Sequence, residues 1–468
     1  MNRVLGGESY VTTSSPELPS EKSRLHPLIL DSIYIGGLCF AIPYLLLSGK
    51  RGQVFDHIPR RSKDLPPRLG NKRCLWVHGV SVGEILSARH FLGRFSEEFP
   101  DWEIVLSTTT RAGLEIGRRY YPDVQIVSYP FDVSYLVKRA FERIRPDLVL
   151  IVEHELWPNF LWHAHSRRVP VAIVNGRMSE RSLRGYKWLS RLVTWPPPGI
   201  VSICVEDSVS GEGFRKLGVA PERIHVTGNF KFDNTAHGVS GVREDLGLNG
   251  GDWVLVGAST HKGEEDMLLD SFAALHREDS RSRLVIAPRH VERVDELATL
   301  VRRRGFNALR WSHLTTNGNG VASGDNGGEP KSSSPTSWQQ NGRAEVLLVD
   351  TMGDLDRVSA AGDVVFVGGS LVPFGGHNVI SPAGIGCPVV IGPHYANFRS
   401  VVSAFLHRDA LLVARDAGDL SRKIRELKRD PGRARGIARR ASETVATHAG
   451  ASDRTFDVIQ PLIQSIIR

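Results

Sequence analysis

The stretch CLWVHGVSVGEILSARHFLGRF, residues 74–95, contains an apolar run, a short glycine turn and an amphipathic segment, in that order. The run Cys74–Val77 has the composition of a buried strand, and the residues after Glu84 place apolar side chains at helical spacing. The small residues between them let the backbone turn sharply. The stretch therefore predicts a strand, a tight turn and a helix, the repeating unit of an α/β fold, with a carboxylate where the helix begins.

The same unit recurs from residue 72 onward. Near-continuous Val, Ile and Leu runs, typical of parallel strands covered on both faces, alternate with amphipathic segments. The pattern predicts two doubly wound, Rossmann-like α/β domains, 53–232 and 233–468, after an N-terminal tail over 1–52. A Gly-, Ser- and Asn-rich segment, 312–343, is predicted to be a flexible insertion in the second domain. The predicted strands are CLWVHGV, WEIVLSTTT, VQIVSYP, DLVLIVE, VPVAIVNG, IVSICVE, WVLVGAST, SRLVIAPRH, AEVLLVDTM, DVVFVGGSL and PVVIGPH.

Composition narrows the class of protein. The 468 residues are 41% apolar, which is enough for two full cores and too polar for a polytopic membrane protein. The formal net charge of +8 favours anionic partners such as nucleic acid, phospholipid or phosphorylated substrates, although a basic surface that only aids solubility explains the charge equally well. The four cysteines are far apart and form no CxxC pair, which argues against a zinc site and a disulfide framework.

Residues 32–48 form one strongly apolar, uncharged stretch near the lower length limit for a membrane-spanning helix. The basic cluster that follows, from Lys50 to Lys63, predicts that the rest of the chain faces the cytoplasm. The order of charges is wrong for a signal peptide. A buried or interfacial helix is the alternative, because Pro43 interrupts the stretch.

Polar residues follow most of the predicted strands. In open α/β sheets ligands bind at the carboxyl ends of the strands, so these positions are candidate site residues. Both predicted domains have such a polar rim, which suggests a cleft between them. The positions are Glu84, Thr108 to Arg111, Glu153, Glu155, Asn175 and Arg177 in the first domain, and Ser259 to His261, Arg289, His290, Asp350, Thr351 and 368–378 in the second.

The loop GGSLVPFGGHN, residues 368–378, follows a predicted strand and leads toward a helix, so its backbone N–H groups could hold a phosphate. A purely structural glycine turn is an equal alternative. Arg289, in the sequence APRH, favours the phosphate interpretation because a guanidinium suits a phosphoryl group. The chain has no Walker lysine motif and no GxGxxG followed by an acidic strand end, so neither an ATPase nor a dehydrogenase is indicated.

Taken together, these motifs resemble the Kdo (3-deoxy-D-manno-octulosonic acid) transferases that build the inner core of lipopolysaccharide. The resemblance implies a GT-B fold, a CMP-Kdo donor, a lipid A precursor (lipid IVA) as acceptor, and no nucleic acid partner. It also implies an N-terminal anchor, matched by 32–48, that holds the enzyme at the anionic cytoplasmic face of the inner membrane. The motifs, in chain order, are HGVSVGE, TTTRAGLE, IVEHELWPN, NGRMSERS, TGNFKFD, GASTHKGEED, APRHVER, DTMGDL, VGGSLVPFGGHN and GPHYANF.

The resemblance also implies roles for individual residues. Glu84 matches the family's general base, and a sugar transfer with inversion needs a carboxylate to take the proton of the attacking hydroxyl. Glu155 and Lys231 match positions assigned to transition-state stabilisation; a buried ion pair and a linker charge are their structural alternatives. The positions that match the nucleotide-binding segments are Pro288, Arg289, Met352, Gly353, Asp354, Asn378, Val379, Ile380 and Ser381.

The chain departs from the family pattern at three positions. Ser381 stands where a glutamate is usual; a carboxylate there would accept ribose hydroxyls, which a serine does more weakly. His154 replaces a common threonine, and Asp354 replaces a glutamate. No Asp-x-Asp motif stands at a suitable strand end, so we predict a reaction without cofactor or metal. Two other interpretations stay open: another GT-B enzyme, such as a nucleotide-sugar epimerase, and a membrane-anchored binding protein that has lost catalysis.

Overall fold

The protein divides into two compact units, Met1–Asp233 with Gly450–Arg468, and Asn234–Ala449. The computed structural model describes residues 31–32, 65, 67–68, 70–153, 155–190, 199–233, 242–246, 248–315 and 344–468.

The first unit is built on a seven-stranded sheet with the strand order β3-β2-β1-β4-β5-β6-β7, and all neighbouring strands are parallel. The strands are β1 (Arg73–His78), β2 (Trp102–Thr108), β3 (Gln125–Ser128), β4 (Leu148–Val152), β5 (Val171–Gly176), β6 (Ile200–Val205) and β7 (Ile224–Val226). The helices are α1 (Val82–Ser87), α2 (Arg89–Glu98), α3 (Arg111–Tyr120), α4 (Ser134–Ile144), α5 (Pro158–Ser166), α6 (Glu180–Leu189) and α7 (Ser208–Arg215), with 3-10 turns at Pro221–Arg223 and Phe230–Phe232.

Strand β1 shows why its sequence is apolar at almost every position. Its alternate residues enter two different cores: Trp76 packs on one face of the sheet, whereas Leu75 and Val77 pack on the other. The Trp76 ring lies 5.2 Å from that of Phe141 and 4.9 Å from that of Phe160, both edge-on. A strand buried on both faces has no solvent-facing side chains, so its sequence shows no polar alternation.

The second unit repeats this design with the strand order β10-β11-β9-β8-β12-β13-β14, again parallel throughout. The strands are β8 (Trp253–Thr260), β9 (Ser282–Pro288), β10 (Ala308–Arg310), β11 (Val346–Leu348), β12 (Val364–Val367), β13 (Val389–Ile391) and β14 (Leu412–Val413). The helices are α8 (Val242–Asp245), α9 (Glu264–Glu278), α10 (Val294–Arg303), α11 (Trp311–Thr315), α12 (Leu355–Ala360), α13 (Ile380–Gly384), α14 (Arg399–Leu406), α15 (Ala417–Arg429) and α16 (Pro431–His448), with 3-10 turns at Val291–Arg293 and Ala396–Phe398.

The final helix, α17 (Ala451–Ile467), belongs to the first unit, so the prediction that the second domain extends to residue 468 is wrong at its end. Phe456, Ile459 and Ile463 are fully buried in the core on the Leu75 side of the first sheet. The Asp233 carboxylate accepts hydrogen bonds from the backbone of Gly450 at 2.7 Å and of Ser452 at 2.6 Å, which caps the helix N-terminus.

The eleven strands predicted from sequence are all present, and the two α/β units have the predicted doubly wound topology. The three strands that were not predicted, β7, β10 and β14, are two or three residues long and lie at sheet edges, where strands are short and half-buried.

Two other predictions lie partly outside the described residues. The start of the predicted insertion 312–343 is wrong, because residues 312–315 continue helix α11 and Ser312 is held by Asp350; the rest lies outside the described part of the chain. The predicted anchor 32–48 also lies outside it, except for Ser32. Within the described residues, no helix is both long and apolar enough to cross a membrane.

Candidate active site

Each sheet has one point where the order of the strands reverses, between β1 and β4 in the first unit and between β8 and β12 in the second. Loops that leave the carboxyl ends of such a strand pair diverge to opposite faces of the sheet and open a crevice there. In the first unit Glu84 and Glu153 follow these strands, and in the second unit His261 and His377 do so. The two reversal points are therefore the candidate binding sites, one in each unit.

Glu84 is held at the start of α1 by a local hydrogen-bond network. Ser81 is the N-cap, and its hydroxyl oxygen accepts from the Glu84 backbone N at 3.3 Å. The Glu84 carboxylate accepts from the Val80 backbone N at 2.7 Å and from the Ser81 hydroxyl at 2.9 Å. This arrangement is a variant of the capping box, in which the third helical residue reaches back to the helix entrance. The sequence SVGE thus places a carboxylate immediately after β1 and fixes its orientation.

Burial changes the acidity of Glu84. The residue is 9% exposed, and loss of water raises the pKa of its carboxyl to about 7. The neighbouring charges of Glu153 and Glu155 raise this pKa further, while the hydrogen bonds from Val80 and Ser81 lower it. A helix N-terminus favours an ionised carboxylate, and at Glu84 burial opposes that effect. A carboxylate with a pKa near neutrality is suited to taking a proton from a hydroxyl and releasing it afterwards.

Lys231 lies beside the glutamates of this site. Its ammonium is 3.9 Å from the Glu153 carboxylate. The 3-10 turn that carries Lys231 is fixed by Asn229, whose side chain accepts from the Lys231 backbone N, and by Asn175, whose side chain accepts from the Phe230 backbone N at 2.9 Å. The structure therefore brings Glu84, Glu155 and Lys231 to the same end of the first sheet. Glu153 interacts electrostatically with both Glu84 and Lys231.

Two residues of this rim have a strained backbone. Glu153, directly after β4, has φ of 66°, and Asn175, near the end of β5, has φ of 53°. Such left-handed conformations are rare for residues other than glycine, each costs on the order of 1 kcal/mol, and they collect at functional sites. Their position next to Lys231 supports the assignment of this sheet end as a site.

A second buried glutamate, Glu206, follows β6. Burial and the charge of Asp207 raise the pKa of its carboxyl to about 7, although Arg177 and Lys231 lower it. Its carboxylate accepts from the Asn229 amide at 2.6 Å and lies 3.6 Å from the Arg177 guanidinium. Glu206 therefore shares partners with the Lys231 turn, and no role was predicted for it from the sequence.

In the second unit, the glycine loop wraps around the buried carboxylate of Glu264. This carboxylate accepts from the backbone N of Gly369 at 2.7 Å, of Ser370 at 3.0 Å, of Leu371 at 2.9 Å and of His261 at 2.9 Å. The prediction that these N–H groups bind a phosphate is therefore wrong for Gly369–Leu371, because a fully buried acid at the start of α9 already occupies them. The glycines shape the loop, as the alternative interpretation held.

A pair of histidines closes the other side of this loop. The Nε2 atoms of His261 and His377 are 2.8 Å apart, and the rings are stacked with Phe374 on the outer face of His261. Burial and the charge of Arg289 lower the pKa of His377 to about 4, and burial lowers the pKa of His261 as well. Both rings are thus neutral at physiological pH, one donating and the other accepting.

Arg289 lies at the end of β9 beside this pair. Its backbone N donates to the Thr260 carbonyl at 3.0 Å, and its exposed side chain pairs with no acid among the described residues. An unneutralised guanidinium next to neutral imidazoles suits an anionic group such as a phosphate. Pro288, which precedes it, is buried at the end of the strand.

The other predicted nucleotide-binding residues follow strands β11 and β12. Met352 is 70% exposed, Gly353 has φ of 102°, and Asp354 accepts from the Thr351 hydroxyl. Asn378 is exposed and its side-chain oxygen accepts from the Ile380 backbone N at 3.0 Å. Val379, Ile380 and Ser381 are buried.

Ser381 has a partner that the sequence did not indicate. Its hydroxyl donates to the carboxylate of Asp356 on α12, which joins the two predicted nucleotide segments. His154, the second departure from the family pattern, lies outside the described residues.

Two residues at these sites were missed as functional candidates, Glu206 and Glu264. Their positions shortly after β6 and β8 were a usable signal, but their burial and hydrogen bonds were not readable from sequence. Across the described ranges, no group of three or more His, Cys, Asp or Glu side chains is placed to hold a metal ion.

The fold and these sites define the class of protein. Two Rossmann-like units, each with a parallel sheet and one reversal point beside a candidate site, have the arrangement of the GT-B fold. A crystal structure of the UDP-GlcNAc 2-epimerase from Neisseria meningitidis, 12% identical, covers 84% of this chain and all of its own with a TM-score of 0.52, which shows the shared fold alone.

The family follows from sequence comparison. The family described as 3-deoxy-D-manno-octulosonic-acid transferase (kdotransferase) matches residues 56–234. The 3-deoxy-D-manno-octulosonic acid transferase of Bordetella pertussis is 30% identical over 403 residues, 82% of this chain and 86% of the relative. That of Haemophilus influenzae is 27% identical over 421 residues, 87% of this chain and 93% of the relative. This chain belongs to the Kdo transferase family and is a glycosyltransferase.

Proposed function

We propose that this protein transfers Kdo from CMP-Kdo to a lipid A precursor, lipid IVA, during synthesis of the lipopolysaccharide inner core. The observation that carries the proposal is the buried carboxylate of Glu84, which stands at the reversal point of the first sheet with a pKa of about 7. Family membership supplies the donor and the acceptor class.

Glu84 would act as the general base. As the acceptor hydroxyl oxygen forms a bond to the anomeric carbon of Kdo, its proton passes to the Glu84 carboxylate, and the bond from that carbon to the CMP phosphate breaks, with the electron pair leaving on the phosphate oxygen. Attack on the face opposite the leaving group inverts the anomeric configuration. The hydrogen bonds from Val80 and Ser81 fix the carboxylate in place before the substrate binds.

Lys231 and Arg289 would stabilise the negative charges of the donor. Lys231 stands among glutamates, and a positive charge there would bind the Kdo carboxylate or the developing charge of the transition state, with Glu155 positioning a hydroxyl or a basic partner. Arg289 would bind the CMP phosphate, and the neutral His261–His377 pair next to it can donate a hydrogen bond without adding charge.

A direct assay tests the proposal. The purified protein is incubated with CMP-Kdo and a tetra-acylated disaccharide phosphate, and mass spectrometry of the product identifies donor, acceptor and number of sugars transferred. We expect at least one Kdo to be added and the Glu84→Gln variant to be inactive. Glu97→Gln changes an exposed acid on α2 and is the matched control. A product that carries a different sugar, or full activity in Glu84→Gln, would contradict the proposal.

We also propose that the reaction needs no metal. The leaving phosphate has Arg289 beside it, and a basic group of this kind can offset the leaving group's charge. Transfer measured after dialysis against EDTA should equal transfer in untreated protein. Loss of transfer that is restored by adding Mg²⁺ would show that a metal takes part.

For the location, we propose the cytoplasmic face of the inner membrane, with an N-terminal anchor at 32–48 that either spans or lies on the bilayer. The basic residues from Lys50 to Lys63 support this proposal, since each contributes about 1 kcal/mol of attraction near an anionic lipid surface. Deleting residues 1–49 should release the protein from sedimenting membranes, and continued sedimentation would argue against the anchor.

A further inference from the structure

Asp356 is a half-buried acid whose charge the protein leaves unbalanced. It lies in the first turn of α12 and accepts a hydrogen bond from the hydroxyl of Ser381 on α13. In the described part of the chain, no Lys, Arg or His pairs with its carboxylate. The neighbouring Arg357 instead binds Asp245 at 2.8 Å and lies over the Trp311 ring.

Asp363, another acid of the second unit, has more partners than Asp356. Asp363 accepts from the Arg243 guanidinium at 3.1 Å and from the Val254 backbone N at 2.8 Å, and so is fully engaged in holding the fold. Asp356 has one hydroxyl donor and an acceptor oxygen to spare. A carboxylate with spare acceptor capacity is suited to binding the hydroxyl groups of a ligand.

Ser381 is also unusual for its position. It is 6% exposed, and its proton is committed to Asp356, so the serine orients that carboxylate rather than donating to a ligand. The two residues link the segment that contains Met352 to the segment that contains Asn378. A glutamate in place of Ser381 would bring a carboxylate to the same spot from α13 instead of from α12.

We infer that Asp356, positioned by Ser381, binds the ribose hydroxyls of the CMP part of the donor. The resemblance to Kdo transferases implies a carboxylate at the position of Ser381, and Asp356 would supply it from the neighbouring helix α12. The inference rests on the proposed function, because it takes CMP-Kdo as the donor. It removes the expected weakness of donor binding, since the ribose keeps a carboxyl group as its acceptor.

Calorimetric titration with CMP and with 2′-deoxy-CMP tests the assignment. A hydrogen bond to a charged group corresponds to roughly 10- to 100-fold in affinity. We expect the unmodified protein to bind CMP at least tenfold more tightly than 2′-deoxy-CMP. The Asp356→Asn variant should bind CMP no more tightly than it binds 2′-deoxy-CMP, because the preference for CMP depends on the carboxylate. Asp245→Asn, which changes a nearby exposed acid, should keep the discrimination.

A rescue experiment separates ligand binding from a structural role. Asp356→Ser alone should lose the tenfold preference for CMP over 2′-deoxy-CMP. Adding Ser381→Glu, which places a carboxylate on α13 instead of α12, should restore that preference. Asp356→Asn keeps the shape of the side chain, and a melting temperature equal to that of the unmodified protein will show that it folds.

The outcomes distinguish the role of Asp356 from the proposed function. Tight CMP binding with equal affinity for 2′-deoxy-CMP, or discrimination that survives Asp356→Asn, would overturn the role of Asp356 and leave the proposed function standing. No binding of CMP to the unmodified protein would contradict the proposed function itself.

Discussion

The reversal points of the two sheets have the same topology and opposite chemistry. In the first unit the residues there include Glu84, with Glu206 on the same rim after β6, and burial raises the pKa of both carboxyls to about 7. In the second unit they are imidazoles, and burial lowers the pKa of His377 to about 4. One physical cause, the loss of water, favours the neutral form of Glu84 and Glu206 in the first unit and of His377 in the second. The proposed mechanism uses this difference, with proton transfer at Glu84 in the first unit and binding of the donor phosphate at Arg289 in the second.

The largest effect is expected from removing the proposed proton acceptor of the first unit, Glu84. Glu84→Gln keeps one oxygen that can accept from the Val80 backbone N but has no basic site, so the turnover number should fall by about 10³-fold or more. The affinity for CMP should not change, because the proposed nucleotide site lies in the second unit. In the unmodified enzyme, kcat/KM should rise with pH and level off above about 7, as the carboxyl loses its proton. A profile that is flat between pH 5 and 8 would remove Glu84 from the role of base.

Arg289→Ala tests the other rim. Without the guanidinium the donor phosphate loses a charge-assisted hydrogen bond, and the KM for CMP-Kdo should rise about 10- to 100-fold. Arg281→Ala is the control, since this exposed arginine pairs with Asp279 in the same unit but precedes β9, at the opposite end of the strand from Arg289. An unchanged KM with a lower kcat would place Arg289 in the chemical step. The chemical step would then depend on residues of both units.

The pH dependence of stability should have opposite sign for the two rims. The Glu206 carboxyl has a folded pKa of about 7, raised above its unfolded value near 4.5, so the native state holds a proton that the unfolded state releases. Its contribution to stability is therefore full below pH 4.5 and is lost as the pH rises to about 7. Between pH 5 and pH 7.5 the unmodified protein should lose about 1 to 3 kcal/mol of unfolding free energy through Glu206. The Glu206→Gln variant should not show this loss. Denaturant unfolding at the two pH values measures it.

His377 should behave in the reverse way. Its folded pKa of about 4 lies below the unfolded value of 6.5, so the unfolded state binds a proton first as the pH falls. Its contribution to stability is present above pH 6.5 and is lost between pH 6.5 and 4. His377→Asn should flatten this acid limb in denaturant unfolding between pH 4 and 7. An acid limb that keeps its slope would show that other groups cause it.

The sequence predicted the topology well because buried parallel strands are encoded locally, as apolar runs such as β4. It failed where partners come from far along the chain. Helix α17 has no local sign that its core lies more than 200 residues upstream, near Phe91. The glycine loop suggested a phosphate site, yet the buried Glu264 that fills it is an unremarkable helix-start acid in sequence. Glu84 was found from its motif, whereas its acidity depends on burial and on Glu153, which follows a different strand.

The return of helix α17 to the first unit has a consequence for synthesis. The chain leaves that unit at Asp233 and re-enters it at Gly450, and the two residues are joined by a hydrogen bond of 2.7 Å. The residues of the second unit are therefore all made before the last core helix of the first emerges from the ribosome. Until then the apolar surface that covers Phe456 stays open to water and to chaperones. The half of the molecule that is begun first is the half that is finished last.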